Sequence, residues 1–351
     1  METSRPKRLT IAIPTYNRAG LLEGCLAALC RQLPGHEDDV EVIVSDNCSP
    51  DGTGDVVRKY QALAPSIVYH CNEKNIGSYW NIQQCYGMGQ GEYVLVLGDD
   101  DLLLDGALEV ILRTLATGPY GVVYLDGYGF DDDPVREAPP VARAPRPILY
   151  EDRRSFVRRV SYYVTFVSGN VVNRSLVDPD LRMEAFVETN LGQTVKILSA
   201  ILASPRNAVI EGHVVAARNN QGAAYPVCQV FGTNLDRVLS HFRSAPEGAA
   251  CASAIQRALL LRFLPGLLLG IRAGKLDFQR EDAFAVLSKV FRTNPWFWLF
   301  TAPVVVLPLP LARGWHLFTR ATRRLSDELG KLAPRPPAID VGPPGSRRQP
   351  A

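Results

Sequence analysis

Tyr93-Val-Leu-Val-Leu-Gly-Asp-Asp-Asp-Leu-Leu-Leu-Asp105 decides how this chain folds. Tyr93 to Leu97 is an unbroken apolar run, the mark of a strand buried on both faces, as in parallel sheets. It stops at Gly98, and three adjacent carboxylates follow: Asp99, Asp100 and Asp101. Negative charges crowded beside low dielectric repel one another and lose hydration. A hard divalent cation, Mg2+ or Mn2+, removes that cost, because such ions are held by one or two carboxylates plus substrate phosphates. The plainer reading is an acidic turn in which Asp101 or Asp105 caps the next helix. The position favours the cation, since doubly wound sheets bind ligands outside the carboxyl ends of their strands.

Upstream, three more apolar runs each lead into a turn-rich loop and then a helical pattern. Leu9–Ile13 runs into Pro14-Thr-Tyr-Asn-Arg18, and Leu21, Leu22, Cys25, Leu26 and Leu29 recur at helical spacing. Val40–Ser45 ends in Asp46-Asn-Cys-Ser-Pro-Asp-Gly52, with a helix from about residue 55. Ile67–His70 exits through Asn72–Gly77 into a helix over 78–87, which feeds the decisive strand. A helix over 106–117 and a strand over 122–125 follow. Repeated β-α units predict a parallel sheet covered by helices on both faces. The polar loops should then gather along one edge and line one crevice. Gly87-Met-Gly-Gln-Gly91 precedes a strand where a dinucleotide fingerprint would follow one, so it reads as a helix end and turn.

A length of 351 residues and an apolar fraction of 46% suit a globular chain with an ample core. The net charge of +2 hides an asymmetry: residues 1–133 carry 9 basic and 20 acidic side chains, near −11, which leaves the remainder near +13. An acidic first half does not suit nucleic-acid binding, and the basic second half suits phosphate-bearing or lipid partners. Seven cysteines with no zinc spacing read as reduced thiols, which points to the cytoplasm. The polar N-terminus followed by a short apolar stretch does not make a signal peptide.

Four motifs in this order resemble family 2 glycosyltransferases with a GT-A fold, a Rossmann-like, mostly parallel sheet with helices on both faces. They are Ile11-Ala-Ile-Pro-Thr-Tyr-Asn-Arg18, Glu41–Asn47 with Ser49, Asn75-Ile-Gly77 with Asn81, and Leu97-Gly-Asp-Asp-Asp-Leu102. The last, with Ser168-Gly-Asn170, is similar to the abequosyltransferase-like branch, which builds bacterial surface polysaccharides. The resemblance implies an enzyme that moves a sugar from a nucleoside-diphosphate sugar to a saccharide hydroxyl, with inversion and a metal. It places Pro14, Thr15, Tyr16 and Asn17 against base and ribose, and Asp46 under the base N–H. Asn75, Gly77 and Asn81 would shape the pocket, and Asp99 would support the donor. Asp100 and Asp101 would hold the metal; Gly98 stands where the common motif has its first Asp. The general base would be Glu188, or second to it Glu184. No Gln-x-x-Arg-Trp motif is present, which implies a single addition.

The remaining stretches divide the chain. Residues 1–130 read as the nucleotide-sugar-binding half, 131–233 as the acceptor half, 234–333 as a helical, partly apolar region, and 334–351 as a Pro-rich disordered tail. Asp131–Pro147 reads as an exposed loop or lid. Arg218 is either a diphosphate clamp or a surface arginine. His213 is more readily structural than a third ligand. Gly169 offers close approach of backbone to a ligand. Residues 296–312 carry no charge, are broken by Pro303, Pro308 and Pro310, and are flanked by tryptophans and arginines. That pattern fits peripheral contact at the inner face of the cell membrane, with a buried helical core as the alternative. A polyprenyl-diphosphate-linked acceptor would account for it. The competing function is a non-catalytic nucleotide-sugar or carbohydrate-binding component of a membrane assembly, against which the intact Asp99–Asp101 argues.

Overall fold

Alternation along the strands sets the layers. In β1 (Leu9–Thr15), Leu9, Ile11 and Ile13 pack with Val40, Val42 and Val44 of β2 (Val40–Asp46) on one face. In β4 (Tyr93–Val96), Tyr93 and Leu95 point to that face, while Val94 and Val96 point to the other with Ala12. Every β4 side chain is buried, as an apolar run without alternation requires. The computed structural model describes residues 6–140, 144–219 and 225–330; the tail expected at 334–351 lies outside them.

The first face is covered by α1 (Ala19–Cys30), α2 (Thr53–Leu63) and α4 (Ala107–Leu115), through Leu22, Leu26, Val57, Leu108 and Ile111. The second is covered by α3 (Ser78–Cys85), α5 (Arg153–Val160) and α6 (Gly192–Ala203). The sheet order is β3-β2-β1-β4-β8-β6-β9-β5, with β7 on β9. Here β3 is Ile67–Cys71, β5 Leu102–Leu103, β6 Val122–Phe130, β7 Arg146–Tyr150, β8 Asn170–Asn173 and β9 Asn207–Arg218. β3, β2, β1 and β4 are mutually parallel. β8 then enters antiparallel between β4 and β6, so the sheet is mixed beyond β4. After β3 the chain crosses back over β1 to β4, and this reversal places the switch point between β1 and β4.

Two strands were not expected. β7 lies at the end of the stretch read as a loop, where Ile148 and Tyr150 are buried against β9. β5 holds only two residues, but Leu102 pairs with Ala216 and so draws the acidic turn toward the end of β9. After β9 the chain is helical. α7 (Leu235–Ser240), α8 (Pro246–Ala258), α9 (Leu264–Arg272), α10 (Ala283–Phe291) and α11 (Ala302–Val306) send Leu235, Ile255, Leu264, Leu287 and Val304 into the same core as α5 and α6. The last helix, α12 (Leu309–Gly330), runs on from them.

Candidate functional site

Register brings the site together. Ala12 of β1 pairs with Val96 of β4, and Leu97 N donates to Ala12 O at 2.9 Å. Three residues beyond each partner stand Thr15 and Asp99, and Thr15 Oγ1 donates to Asp99 Oδ2 at 2.7 Å. Thr15 is also in register with Asp46 at the end of β2. Asp46 in turn is in register with Cys71 at the end of β3, so four polar loop ends meet at one edge, outside the carboxyl ends of parallel strands.

The three carboxylates have different surroundings. Asp99 is buried and accepts from Thr15 and from Arg18 Nη1 at 3.0 Å. Burial pushes its pKa up, against the pull of Thr15 and Arg18. Asp101 is buried on the opposite side. Its Oδ2 accepts from Ser168 Oγ at 2.5 Å and its Oδ1 from Arg218 N at 2.9 Å. Burial raises it to about 7, with Ser168 opposing and Asp100 assisting. Asp100 is the most exposed of the three and accepts from Arg18 Nη1 at 3.2 Å.

These bonds change the metal reading. Both Asp101 oxygens already face protein donors, so Asp101 braces the turn and is poorly placed as the second ligand expected beside Asp100. Among the described residues no group of three or more His, Cys, Asp or Glu converges as a ready cation cage. The donor set still fits a hard cation of the kind that shares one carboxylate with substrate phosphates. Asp100 offers its carboxylate at the crevice, and one guanidinium, that of Arg18, faces two of the three acidic groups, Asp99 and Asp100.

The remaining expected residues sort into those that face the crevice and those that hold it. Tyr16 is 43% exposed, with its ring available for stacking. Asn17 has φ of 55° and donates its N–H to Ser49 Oγ at 2.8 Å. Pro14 remains in the β1–β2 register opposite Ser45. Asp46 is 1% exposed, and its oxygens already accept from Ser49 N and Oγ and from Tyr69 Oη. A base N–H, expected to donate to this carboxylate, would have to share these acceptors. Asn81 is also buried, at 2%. It binds Ser45 side chain and backbone, Asn72 and Gln84, so it ties α3 to β2 and does not line the opening. Asn75 accepts from Asn47 Nδ2 and Gly77 N, both at 2.8 Å, and Gly77 enters α3 with φ of 85°, where a side chain would be strained.

Further readings are settled by packing. A Cβ on Gly169 would lie 2.8 Å from the Phe166 ring and 2.9 Å from the Tyr124 ring, so this glycine makes room for aromatic side chains, not for a ligand. His213 packs edge-on to Tyr128 with centroids 5.2 Å apart. Arg218 donates Nη1 to Asp131 O and lies over Phe130, so it fastens the strand end beside the site. Glu184 and Glu188 sit on the 3-10 segment Met183–Thr189 before α6, and both carboxylates are exposed. Glu184 lies near Tyr79, which burial first and this carboxylate second push up to about 12. The two residues that sequence reasoning did not single out are Arg18 and Ser168. Each was quoted within a motif, but only the fold sets them beside the acidic turn.

Residues 10–178 match the family model described as "Glycosyl transferase family 2". The chain is 35% identical over 112 residues to a GalNAc(5)-diNAcBac-PP-undecaprenol beta-1,3-glucosyltransferase of Campylobacter jejuni, covering 32% of this chain and 35% of that one. It is 31% identical over 104 residues to the abequosyltransferase RfbV of Salmonella typhimurium, covering 29% and 31%. The alignments thus span about a third of the length of these relatives. Among solved structures, S. aureus TarS 1–349 in complex with UDP superposes with a TM-score of 0.57 over 92% of each chain at 17% identity. The mannosyltransferase PcManGT of Pyrobaculum calidifontis, solved with GDP-Man and Mn2+, superposes at 0.50 over 90% of each at 18% identity. These likenesses speak for the fold alone. The chain carries a glycosyl transferase family 2 domain over residues 10–178, built on a GT-A fold.

Proposed function

We propose that this protein is a metal-dependent, inverting glycosyltransferase that moves a sugar from a nucleoside-diphosphate sugar to a saccharide hydroxyl. The observation that carries the reading is the meeting of Thr15, Arg18 and Asp99–Asp101 at the β1/β4 switch point, with Tyr16 exposed beside them. Tyr16 stacks the base, and the Asn47–Asn75 pair fixes the loop under the ribose. Asp100 would hold Mg2+ or Mn2+, and the ion would supply Lewis-acid stabilisation to the leaving diphosphate. Asp99 and Asp101 fix the turn from either side through Thr15 and Ser168. Glu188 accepts the proton of the attacking hydroxyl; its carboxylate is exposed on the 3-10 segment before α6, while its carbonyl accepts from Asn234.

The acceptor is a saccharide on a polyprenyl diphosphate carrier, and the enzyme works at the inner face of the bacterial membrane in surface polysaccharide synthesis. Support comes from the named acceptor of the Campylobacter relative and from exposed apolar residues concentrated at 298–318.

The test is transfer of label from a panel of nucleotide sugars to lipid-linked acceptors. EDTA and Asp100→Asn are each expected to remove nearly all turnover. Glu188→Gln is expected to cost about 10²–10⁴-fold in kcat with donor binding retained. Full turnover in chelator sinks the metal role, and donor binding without turnover across the panel favours a binding component instead.

A further inference from the structure

We propose that Arg18 is the resident counter-ion of the acidic turn, which the divalent cation must displace from Asp100, and that its guanidinium then binds the donor's diphosphate. The inference rests on the metal-dependent reading above and adds a residue and a binding order to it.

Three observations carry it. First, one nitrogen makes both contacts: Arg18 Nη1 lies 3.0 Å from Asp99 Oδ1 and 3.2 Å from Asp100 Oδ2. Arg18 is the side-chain partner of Asp100, so a cation reaching that carboxylate competes with it. Secondly, the Arg18 backbone is fixed while its side chain is not. Its carbonyl accepts from Leu21 N and Leu22 N at the start of α1, yet its side chain is 45% exposed. The guanidinium can therefore swing without disturbing the helix. Thirdly, with only Nη1 engaged, the Nη2 and Nε donors remain for a planar fork onto phosphate oxygens, a match that Arg makes and Lys does not. The crevice edge where α1 begins is also where a diphosphate would lie.

One consequence is ordering. In the free protein the turn is already partly neutralised, so Mn2+ alone binds weakly. With a diphosphate present, Arg18 has another partner and Asp100 is released. Arg18 thus couples the two ligands, and removing it should have opposite effects on each.

The experiment titrates Mn2+ without nucleotide, following free Mn2+ by its paramagnetic resonance signal, and titrates pyrophosphate separately. Wild type, Arg18→Gln, Arg18→Met, Arg18→Lys and Asp100→Asn are compared, with thermal unfolding to verify folding. Arg18→Gln and Arg18→Met are expected to bind Mn2+ alone about tenfold more tightly than wild type. The same variants should bind pyrophosphate about tenfold more weakly. Arg18→Lys, which keeps the charge, should hold Mn2+ near the wild-type level. If both neutral variants bind Mn2+ no better than wild type while Asp100→Asn abolishes binding, the role of Arg18 is overturned and the metal-dependent reading stands. If neither wild type nor the neutral variants bind Mn2+, with or without pyrophosphate, the metal-dependent reading falls and the inference with it.

Discussion

Thr15 shows how one side chain can set the electrostatics of a site. It is 3% exposed, at the end of a strand that has just left the core, and its hydroxyl faces Asp99 at 2.7 Å. Without that donor a buried carboxylate oxygen would be unsatisfied, which costs about 1–3 kcal/mol. Thr15→Val is therefore expected to lower the unfolding free energy by about that amount in a denaturant titration, and Thr15→Ser to remain close to wild type. A loss in Thr15→Ser with none in Thr15→Val would assign the effect to packing of the methyl group instead. At this scale the sequence was legible wherever a motif residue sits at a strand end. Thr15, Asp46 and Asp99–Asp101 follow directly from the four loops. What could not be read was who bonds to whom. Nothing in the order of residues says that Tyr69 and Ser49 close over Asp46, that Ser168 reaches Asp101, or that Arg18 spans two carboxylates, because each contact joins segments far apart in the chain.

Elements were legible in proportion to their apolar periodicity. The first four β-α units are read directly: β1, β2 and β4 are buried on both faces, and the edge strand β3, largely exposed beyond Ile67, is marked by the turn-rich loops on either side of it. β7 was hidden because Pro147 and the preceding Pro/Ala-rich run mask a strand that pairs only along β9. α6 has a different kind of tension. Lys196 lies on a face buried against α3, where its ammonium donates to Gln83 O at 3.2 Å and sits 5.0 Å from the centre of the Tyr86 ring. Burial pulls its pKa down to about 8. Between that value and roughly 10.4 the unfolded chain binds more protons than the folded one, so stability rises with pH in that window. Below it the cost of burying the charge is fully present. Lys196→Met is expected to stabilise the protein at pH 7 by on the order of 2 kcal/mol, the gain shrinking as the pH approaches 10. Thermal unfolding at pH 7 and pH 10 reads this directly. A gain of the same size at both would mean improved apolar packing and not relief of a buried charge.

Across the whole molecule, apolar surface is unevenly placed, and that carries the argument for membrane contact. The large apolar side chains left exposed include Trp298, Leu299, Val306, Leu311, Leu317 and Phe318, all within about twenty residues near the end of the described chain. The helix Pro246–Arg272 is long and apolar enough to cross a bilayer, but its Ile255, Leu259, Leu260 and Leu264 belong to the shared core. The stretch expected to touch lipid, 296–312, forms short pieces instead. Phe297–Val306 spans ten residues, or about 15 Å, half of a hydrocarbon core of roughly 30 Å. Lipid contact of the kind proposed would then be made along a surface. α12 supplies one. Ala312 and Thr319 are buried on its inner face, while Leu311, Gly314, Leu317, Phe318 and Ala321 recur at three- and four-residue spacing on the outer one. Exposed Arg313 and Arg320 flank that apolar stripe on the same helix. An apolar stripe edged by guanidinium groups suits an anionic leaflet, in which the helix lies parallel to the surface. Leu317→Ser combined with Phe318→Ser is expected to reduce co-sedimentation with phosphatidylglycerol-containing vesicles at least tenfold, since two large apolar side chains contribute about 1.5–3 kcal/mol each when buried. Arg313→Gln combined with Arg320→Gln should weaken binding to the anionic vesicles and leave the weak binding to neutral phosphatidylcholine unchanged. Neither pair touches the β1/β4 crevice, so turnover of a water-soluble acceptor should persist in both. Vesicle binding that survives all four changes would move the lipid-facing surface away from α12 and leave its outer face to another partner.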